Sequence, residues 1–341
     1  MKIDNGDLLN QAFLDLIQRE KSFVLSGHEH PDGDCLGSQV GLFHLLRELG
    51  AEVSIFNPDP VAPSLSFLEA HTPIANRREQ VTPPVADVLI LLDCARLTRL
   101  GRLGEVFREQ QPAIAVIDHH VGSESGDGDV CYVDVSAAAT GVLVYNLYQQ
   151  LGVKISAPAA EAIFVSIVSD TGWFRYSNTD SRTLKIAAEM VEAGAQPDRL
   201  YDRMFRDNDP VSVSLLAESL SRHEMLLDGR LGYSVLEPAC MARAKKAGFD
   251  TDQILEVIRS VKGVEVAGLF KSLNSGLTKV SLRSMGALDV QVIAAALGGG
   301  GHAKAAGATV KRPVVEVVAT VESLVRAALL EFGEQGPSGD G

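Results

Sequence analysis

Pro112-Ala113-Ile114-Ala115-Val116-Ile117-Asp118-His119-His120 is the stretch whose reading decides the fold. Its first six residues are apolar, uncharged and rich in β-branched side chains, the pattern of a short strand buried on both faces. Strands of that kind belong to open α/β sheets, which keep their ligands at the carboxyl ends of the strands. Here an Asp and two His follow the apolar run at once. An Asp in this position is also a common helix cap, so the tetrapeptide alone leaves cap and site equally open. The decision rests on whether other polar residues reach the same edge.

Three further stretches do. Ser22-Phe23-Val24-Leu25-Ser26 reads as a buried strand, followed by the polar turn Gly27-His28-Glu29-His30-Pro31-Asp32-Gly33-Asp34-Cys35 and a helical pattern over residues 40–49. Residues 85–92 form a second buried strand that delivers Asp93, and a helix over 159–168 runs into Ser169-Asp170. Between them lie a strand over 53–56 and helices over 99–109, 142–151 and 181–191, the last capped by Asp180 or Ser181. Strands alternating with helices predict an α/β fold, a mostly parallel, doubly wound sheet with helices on both faces.

At 341 residues the chain exceeds one ordinary core. The predicted organisation is a first domain over 1–195, a helical linker over 196–230 broken by Pro197 and Pro210, a smaller α/β domain over 231–333 and a disordered tail over 334–341. In the second domain, strands are expected over 231–236, 264–271 and 279–283, with helices near 251–260 and 289–296. The net charge of −13 argues against a protein that grips long duplex nucleic acid, which is held by neutralising phosphates. It permits a small anionic substrate, because bound cations reverse the local charge. Cys35, Cys94, Cys131 and Cys240 show no paired spacing, so reduced thiols and a cytoplasmic location are expected. No signal peptide and no membrane span are read from the sequence.

His28, Asp32, Asp34, Asp93, His119 and Asp170 together offer mixed nitrogen and oxygen ligands from several segments. Carboxylates with imidazoles suit Mg²⁺, Mn²⁺ and similar ions, whereas structural zinc more often recruits thiolates. Six ligands exceed what one catalytic ion with open positions can use, and two ions sharing a carboxylate would use them well.

The ordered set His-x-x-x-Asp-x-Asp, a strand-terminal Asp, Asp-His-His and a further Asp resembles the DHH phosphoesterase superfamily. Ser281-Leu282-Arg283-Ser284 followed by Gly298-Gly299-Gly300-Gly301-His302 resembles the DHHA1 domain, and the pairing is similar to the nanoRNase group of oligoribonucleases and pAp phosphatases. The resemblance spans residues 8–312. It implies two divalent ions, Mn²⁺ above Mg²⁺ or Co²⁺. His28, Asp32 and Asp93 would hold one, and Asp34, Asp93, His119 and Asp170 the other. Asp118 would orient a ligand histidine, and His120 would face the phosphoryl group or the departing oxygen. Arg99, Arg283, Gly299, Gly300, Gly301 and His302 would bind substrate. His30 stands where the motif asks for no ligand, and Cys35 and Cys94 replace the Ala and Thr more usual beside the ligands.

The activity so implied is hydrolysis of oligonucleotides of two to five residues, single-stranded RNA or DNA, and of 3′-phosphoadenosine 5′-phosphate (pAp). The second domain would hold the substrate and a hinge over 196–230 would control access; a homodimer is compatible with this reading. Within the same chemistry stand phosphodiesterases for linear dinucleotides such as pGpG and single-strand DNA exonucleases. Outside it stands a nucleotide-binding regulator that has lost catalysis, whose mark would be a missing ligand; none of the six is missing. Trp173, Phe174 and Tyr176, just after Asp170, offer either a base-stacking surface or packing for the turn.

Overall fold

A computed structural model describes residues 5–78, 82–206, 210–273, 276–285 and 287–334. The chain divides into two compact units, Met1–Asp207 and Asn208–Gly341.

The first unit runs α1 (Asn5–Arg19), β1 (Ser22–Ser26), α2 (Gly33–Glu48), β2 (Glu52–Asn57), β3 (Ile74–Asn76), β4 (Val88–Leu92), α3 (Arg102–Gln110), β5 (Ala113–Asp118), β6 (Val130–Val133), α4 (Thr140–Leu151), α5 (Ala157–Asp170), α6 (Ser181–Glu192) and α7 (Pro197–Phe205). Its six strands are all parallel, in the order β3-β2-β1-β4-β5-β6. Alternation along β4 explains why the run is apolar throughout. Leu89 and Leu91 pack with Leu103 and Phe107 of α3 on one face. Ile90 and Leu92 pack with Leu36, Leu143 and Ile163 of α2, α4 and α5 on the other. Each such side chain contributes about 1.5–3 kcal/mol when fully buried. The chain leaves β1 toward β2 on one side, and β4 lies on the other side of β1, so the sheet order reverses between β1 and β4. Open sheets place their ligands at such a switch point.

Helix α2 starts at Gly33, seven residues before the apolar periodicity begins, because Asp32 caps it: its Oδ1 accepts the N–H groups of Asp34 at 3.0 Å and Cys35 at 3.1 Å. Its contact with α5 is close because Gly37 lies at the crossing, where a Cβ would stand 2.4 Å from the carbonyl oxygen of Ala162. That approach carries Asp34 to the middle of α5 and Asp32 to its end. Strand β4 begins at Val88 rather than Val85, which is 82% exposed. A 3-10 turn over Leu97–Leu100 and Gly101 at φ +54° delay α3 to Arg102. The short strands β3 and β6 escape the sequence reading.

The second unit runs α8 (Pro210–Ser221), β7 (Glu224–Leu226), β8 (Leu231–Leu236), α9 (Pro238–Ala247), α10 (Asp252–Arg259), β9 (Val266–Ser272), β10 (Thr278–Ser284), α11 (Val290–Ala296), β11 (Gly300–His302), β12 (Ala305–Val310) and α12 (Val314–Glu334). Its sheet is mixed, in the order β11-β12-β10-β9-β8-β7, with β8 and β9 parallel and the other pairs antiparallel. Val317, Val321, Val325 and Leu329 recur every four residues along α12 and are buried, the stripe of a helix packed on one face. Residues 196–230, expected as a linker, contribute α7 to the first unit and α8 and β7 to the second. Of the tail expected over 334–341, only Glu334 lies within the described residues, as the end of α12. Among the described residues no helix is long and apolar enough to cross a membrane.

Candidate metal centre

His28 follows β1, Asp93 follows β4, and Asp118-His119-His120 end β5, so three neighbouring parallel strands bring their polar residues to one edge. Helix α2 adds Asp32 as its cap and Asp34 in its first turn, and α5 ends on Asp170. The ligating atoms fall into three groups, each within 4.8 Å: His28, Asp32 and Asp93; Asp34, His119 and Asp170; and Asp93, His119 and His120. All six ligand residues read from the sequence are therefore gathered, and Asp93 is common to two groups. Cap and site are not exclusive here, since Asp32 caps α2 and stands among these groups as well.

The histidines show what the centre is built to hold. Nδ1 of His28 lies 2.9 Å from the carbonyl oxygen of Glu29, and Nδ1 of His119 lies 3.1 Å from that of Ala137. A carbonyl only accepts, so in each ring Nδ1 carries the hydrogen and a neutral ring turns a lone pair outward from Nε2. For His28 that nitrogen stands 3.3 Å from Asp93 Oδ2. For His119 it stands 3.1 Å from Asp170, 3.5 Å from Asp34 and 3.6 Å from Asp93, yet makes a hydrogen bond to none of them. A buried lone pair facing three carboxylates is repulsive unless a cation lies between them. Metal-ligating histidines are anchored in this manner, by the ring nitrogen that does not bind the ion.

The carboxylates are shifted by burial and by one another. Burial, and next the charge of Asp170, push Asp34 up to about 7 against the opposing pull of His119 and Ser166. Burial and the neighbouring carboxylates, Asp34 first among them, raise Asp93 well above the ordinary range. Burial alone would lower His119, but the Asp170 and Asp34 carboxylates outweigh it and lift the ring to about 9. Asp93 adopts φ +61°, a left-handed conformation that Asp tolerates better than most residues.

Asp118 is not among these ligands. Its Oδ1 accepts the backbone N–H of His119 at 2.8 Å, that of His120 at 3.2 Å and Nδ1–H of His120 at 2.8 Å, while Oδ2 accepts the hydroxyl of Ser123 at 2.6 Å. Burial would raise this acid, but the hydrogen bonds from His120 and Ser123 hold it below the usual carboxylate range. The ring it orients is therefore His120. The expectation that it fixes a ligand histidine is corrected for His119, whose anchor is Ala137. The His120 side chain is half exposed, and its Nδ1 is taken by Asp118.

Thr140, Gly141 and Ser166 were not singled out by the sequence. The N–H groups of Thr140 and Gly141, at the start of α4, donate to the two oxygens of Asp34 at 2.9 and 3.3 Å, and the Ser166 hydroxyl donates to Oδ1. The Thr140 hydroxyl also donates to Asp93 Oδ1 at 3.2 Å. The signal for them was the small-residue run Ala137-Ala138-Ala139-Thr140-Gly141, which lets a helix N-terminus approach a buried carboxylate.

The remaining residues are placed as follows. His30, exposed and at φ +57°, meets Asp59 through its backbone N–H at 2.9 Å and its ring at 3.3 Å. The Arg99 side chain is exposed, and its carbonyl accepts the N–H of Glu29 at 2.8 Å. Cys35 and Cys94 are buried, and burial pushes both thiols up. Trp173 packs edge-on against Phe164 and Tyr201, and Phe174 against Phe164, so these two rings serve the turn after α5.

In the second unit Arg283 donates to Asp252 Oδ2 at 2.6 Å. Gly300, Gly301 and His302 form a strand against β12. The His302 side chain lies outside what the structure describes. Gly299 and Gly301 are demanded by this hairpin: a Cβ would stand 2.1 Å from the Gly307 carbonyl oxygen in the first case and 2.5 Å from that of Ala305 in the second.

Residues 22–167 match the model of the DHH family, N-terminal domain, and residues 239–329 match that of the DHHA1 domain. The chain is 35% identical over 294 residues to the bifunctional oligoribonuclease and PAP phosphatase NrnA of Thermus thermophilus, which covers 86% of this chain and 85% of that protein. To the protein of the same name from Bacillus subtilis it is 28% identical over 295 residues, 85% of this chain and 89% of the other. The crystal structure of an exopolyphosphatase-related protein from Bacteroides fragilis has the same fold, with a TM-score of 0.85 at 22% identity over 96% of this chain and 98% of that one.

Proposed function

This chain belongs to the DHH family and carries its DHHA1 domain, and from that premise we propose that it is a two-metal phosphoesterase. Its substrates are short single-stranded oligonucleotides, which it hydrolyses to mononucleotides, and pAp, from which it removes a phosphate to give AMP. The reading is supported by the names of its relatives. The observation that carries it is the pair of imidazoles, buried His28 and partly buried His119, each anchored through Nδ1 and presenting Nε2 to carboxylates.

His28, Asp32 and Asp93 would hold one divalent ion, and Asp34, Asp93, His119 and Asp170 a second, with Mn²⁺ favoured by the mixed imidazole and carboxylate set. Bound there, such ions supply Lewis acidity toward the phosphoryl oxygens and lower the pKa of water at neutral pH. The chain's own residues do the rest. Asp118, kept ionised by the hydrogen bonds it accepts, holds His120 by Nδ1, so that Nε2 can donate to the departing oxygen. Thr140, Gly141 and Ser166 fix Asp34, so the ligand set is rigid before substrate arrives. Arg283, with its planar fork, and Gly299 together with Gly300, Gly301 and His302 of β11 are the substrate-binding elements of the second unit.

Purified protein with Mn²⁺ should release mononucleotides from a 5′-labelled dinucleotide and AMP from pAp. Absence of turnover on both across Mn²⁺, Mg²⁺ and Co²⁺ would overturn the proposal.

A further inference from the structure

Asp170 is the most exposed of the four residues proposed to hold the second ion. Its side chain is 27% exposed, against 12% for His119, 4% for Asp93 and 0% for Asp34. Asp34 is gripped by Thr140, Gly141 and Ser166, and Asp93 takes the Thr140 hydroxyl. The Asp170 carboxylate has no comparable donors among the described residues, so its place is set by the backbone that carries it.

That backbone is under strain. Asp170 ends α5, and the chain then turns through Gly172, Trp173 and Phe174 at φ +54°, +59° and +64°. A left-handed conformation is an outlier for a bulky residue, and two in succession persist only where the surroundings over-determine them. Two contacts are local: the Trp173 N–H donates to the Val168 carbonyl oxygen at 2.7 Å, and the Phe174 N–H to the Thr171 hydroxyl at 3.1 Å.

The third comes from further along the chain. Nδ2 of Asn178 donates to the Asp170 carbonyl oxygen at 3.0 Å and to the Ala138 carbonyl oxygen at 3.1 Å. An amide nitrogen carries two hydrogens, so one group serves both acceptors; carbonyls only accept, so the atom between them is the nitrogen. Ala138 follows Ala137, whose carbonyl anchors the ring of His119. Ser136, on the other side of Ala137, is held through its carbonyl by Arg182 Nη2 at 3.0 Å. One exposed side chain thus ties the backbone of Asp170 to the segment that orients His119.

We propose that Asn178 is a positioning residue of the metal centre. Its amide sets the separation of Asp170 and His119, and with it the affinity for the second ion, without touching ion or substrate. The inference rests on the two-metal reading above.

The test is a Mn²⁺ titration of the chelated full-length protein, followed by calorimetry. Asn178→Asp keeps the shape and loses both donors, and Asn178→Ala loses them without adding a charge. Each should weaken one of the two Mn²⁺ steps about tenfold, the low end for removal of a group that orients a ligand, and leave the other within about twofold. Ligand variants identify the step. In an Asp170→Asn background, where the tied ligand is already lost, Asn178→Ala should cost less than about twofold more. In an Asp32→Asn background, which spares the ligands of the second ion, its cost should stay near tenfold. Equal weakening of both steps, weakening of neither, or a full tenfold cost in the Asp170→Asn background would overturn the proposal. Wild-type protein that binds fewer than two Mn²⁺ counts against the two-metal reading instead. Asn178 is then judged by amide hydrogen exchange of the chelated protein. There Asn178→Ala must speed exchange over both 134–139 and 170–176 and leave the rest of the first unit unchanged, or the inference fails.

Discussion

Thr140 and Asp34, 106 residues apart in the chain, are joined by a buried hydrogen bond of 2.9 Å from the Thr140 N–H to Asp34 Oδ2. The Thr140 hydroxyl continues the contact to Asp93 Oδ1 at 3.2 Å. One residue at a helix N-terminus thus sets two of the proposed ligand carboxylates against each other. Thr140→Val keeps the shape and the N–H but removes the hydroxyl, leaving Asp93 short of a donor. We expect metal affinity to fall roughly tenfold, as for loss of one hydrogen bond to a charged group, with Thr140→Ser close to wild type. A metal titration of the chelated variants, followed by calorimetry, checks this; equal affinity of the Val and wild-type proteins would refute it.

Asp118 and His120 form the pair most open to substitution without disturbing the ligands. Asp118→Asn keeps the size of the side chain but removes the charged acceptor that holds Nδ1 of His120. The expected result is a loss of kcat on the order of 10², within the range of a general acid, with metal content unchanged. His120→Asn should cost a similar factor, and the double variant little more than either single one, because the two act as a unit. Additive losses would show that they act separately.

Without metal, protons stand in for the cations. Asp34 rises from 3.8 to about 7 and His119 from 6.5 to about 9. Both shifts are upward, so in each case the folded state binds the proton more tightly than the unfolded chain. The stability this supplies is complete below about 3.8 for Asp34 and is lost as pH rises through 7. For His119 it is complete below about 6.5 and lost as pH rises through 9. The Tm of protein in EDTA should therefore fall between about pH 5 and pH 9, and the gain in Tm on adding Mn²⁺ should grow over the same interval. Thermal melts with and without metal across that range check this, and a metal effect that shrinks with pH would refute it.

The parts of this arrangement legible in the sequence were those written in local pattern. Apolar runs ending in Asp93 and Asp118 gave the parallel sheet, and the order of His28, Asp32, Asp34, His119 and Asp170 gave the metal centre. What could not be read depends on contacts between distant segments. Ala137, which anchors His119, and Ser166, which donates to Asp34, contribute through a carbonyl and a short hydroxyl that carry no motif. The start of α2 at Gly33 was hidden because its first turn is spent on the site rather than on apolar packing. The run Gly298–Gly301 does not by itself disclose the hairpin it joins, since glycine suits a turn and a crowded ladder equally, and the partner strand β12 is what separates the two.

Gly299 and Gly300, adjacent and alike in sequence, are expected to respond in opposite ways. A Cβ at Gly299 would stand 2.1 Å from the Gly307 carbonyl oxygen and 2.7 Å from Ala308 Cα, both backbone atoms that cannot turn aside. Gly299→Ala must then part β12 from the segment entering β11 and lower the Tm by several degrees, consistent with an overpacking cost of about 1–3 kcal/mol. Gly300→Ala meets no atom within 4 Å, so the Tm should stay within about a degree of wild type. Its methyl would instead stand on the face of the sheet that carries Arg283 and raise KM for oligonucleotides several-fold at unchanged kcat. Melting curves and steady-state kinetics on the two variants separate the roles. A Gly300→Ala protein with wild-type KM would mean that this strand has its glycines for folding alone.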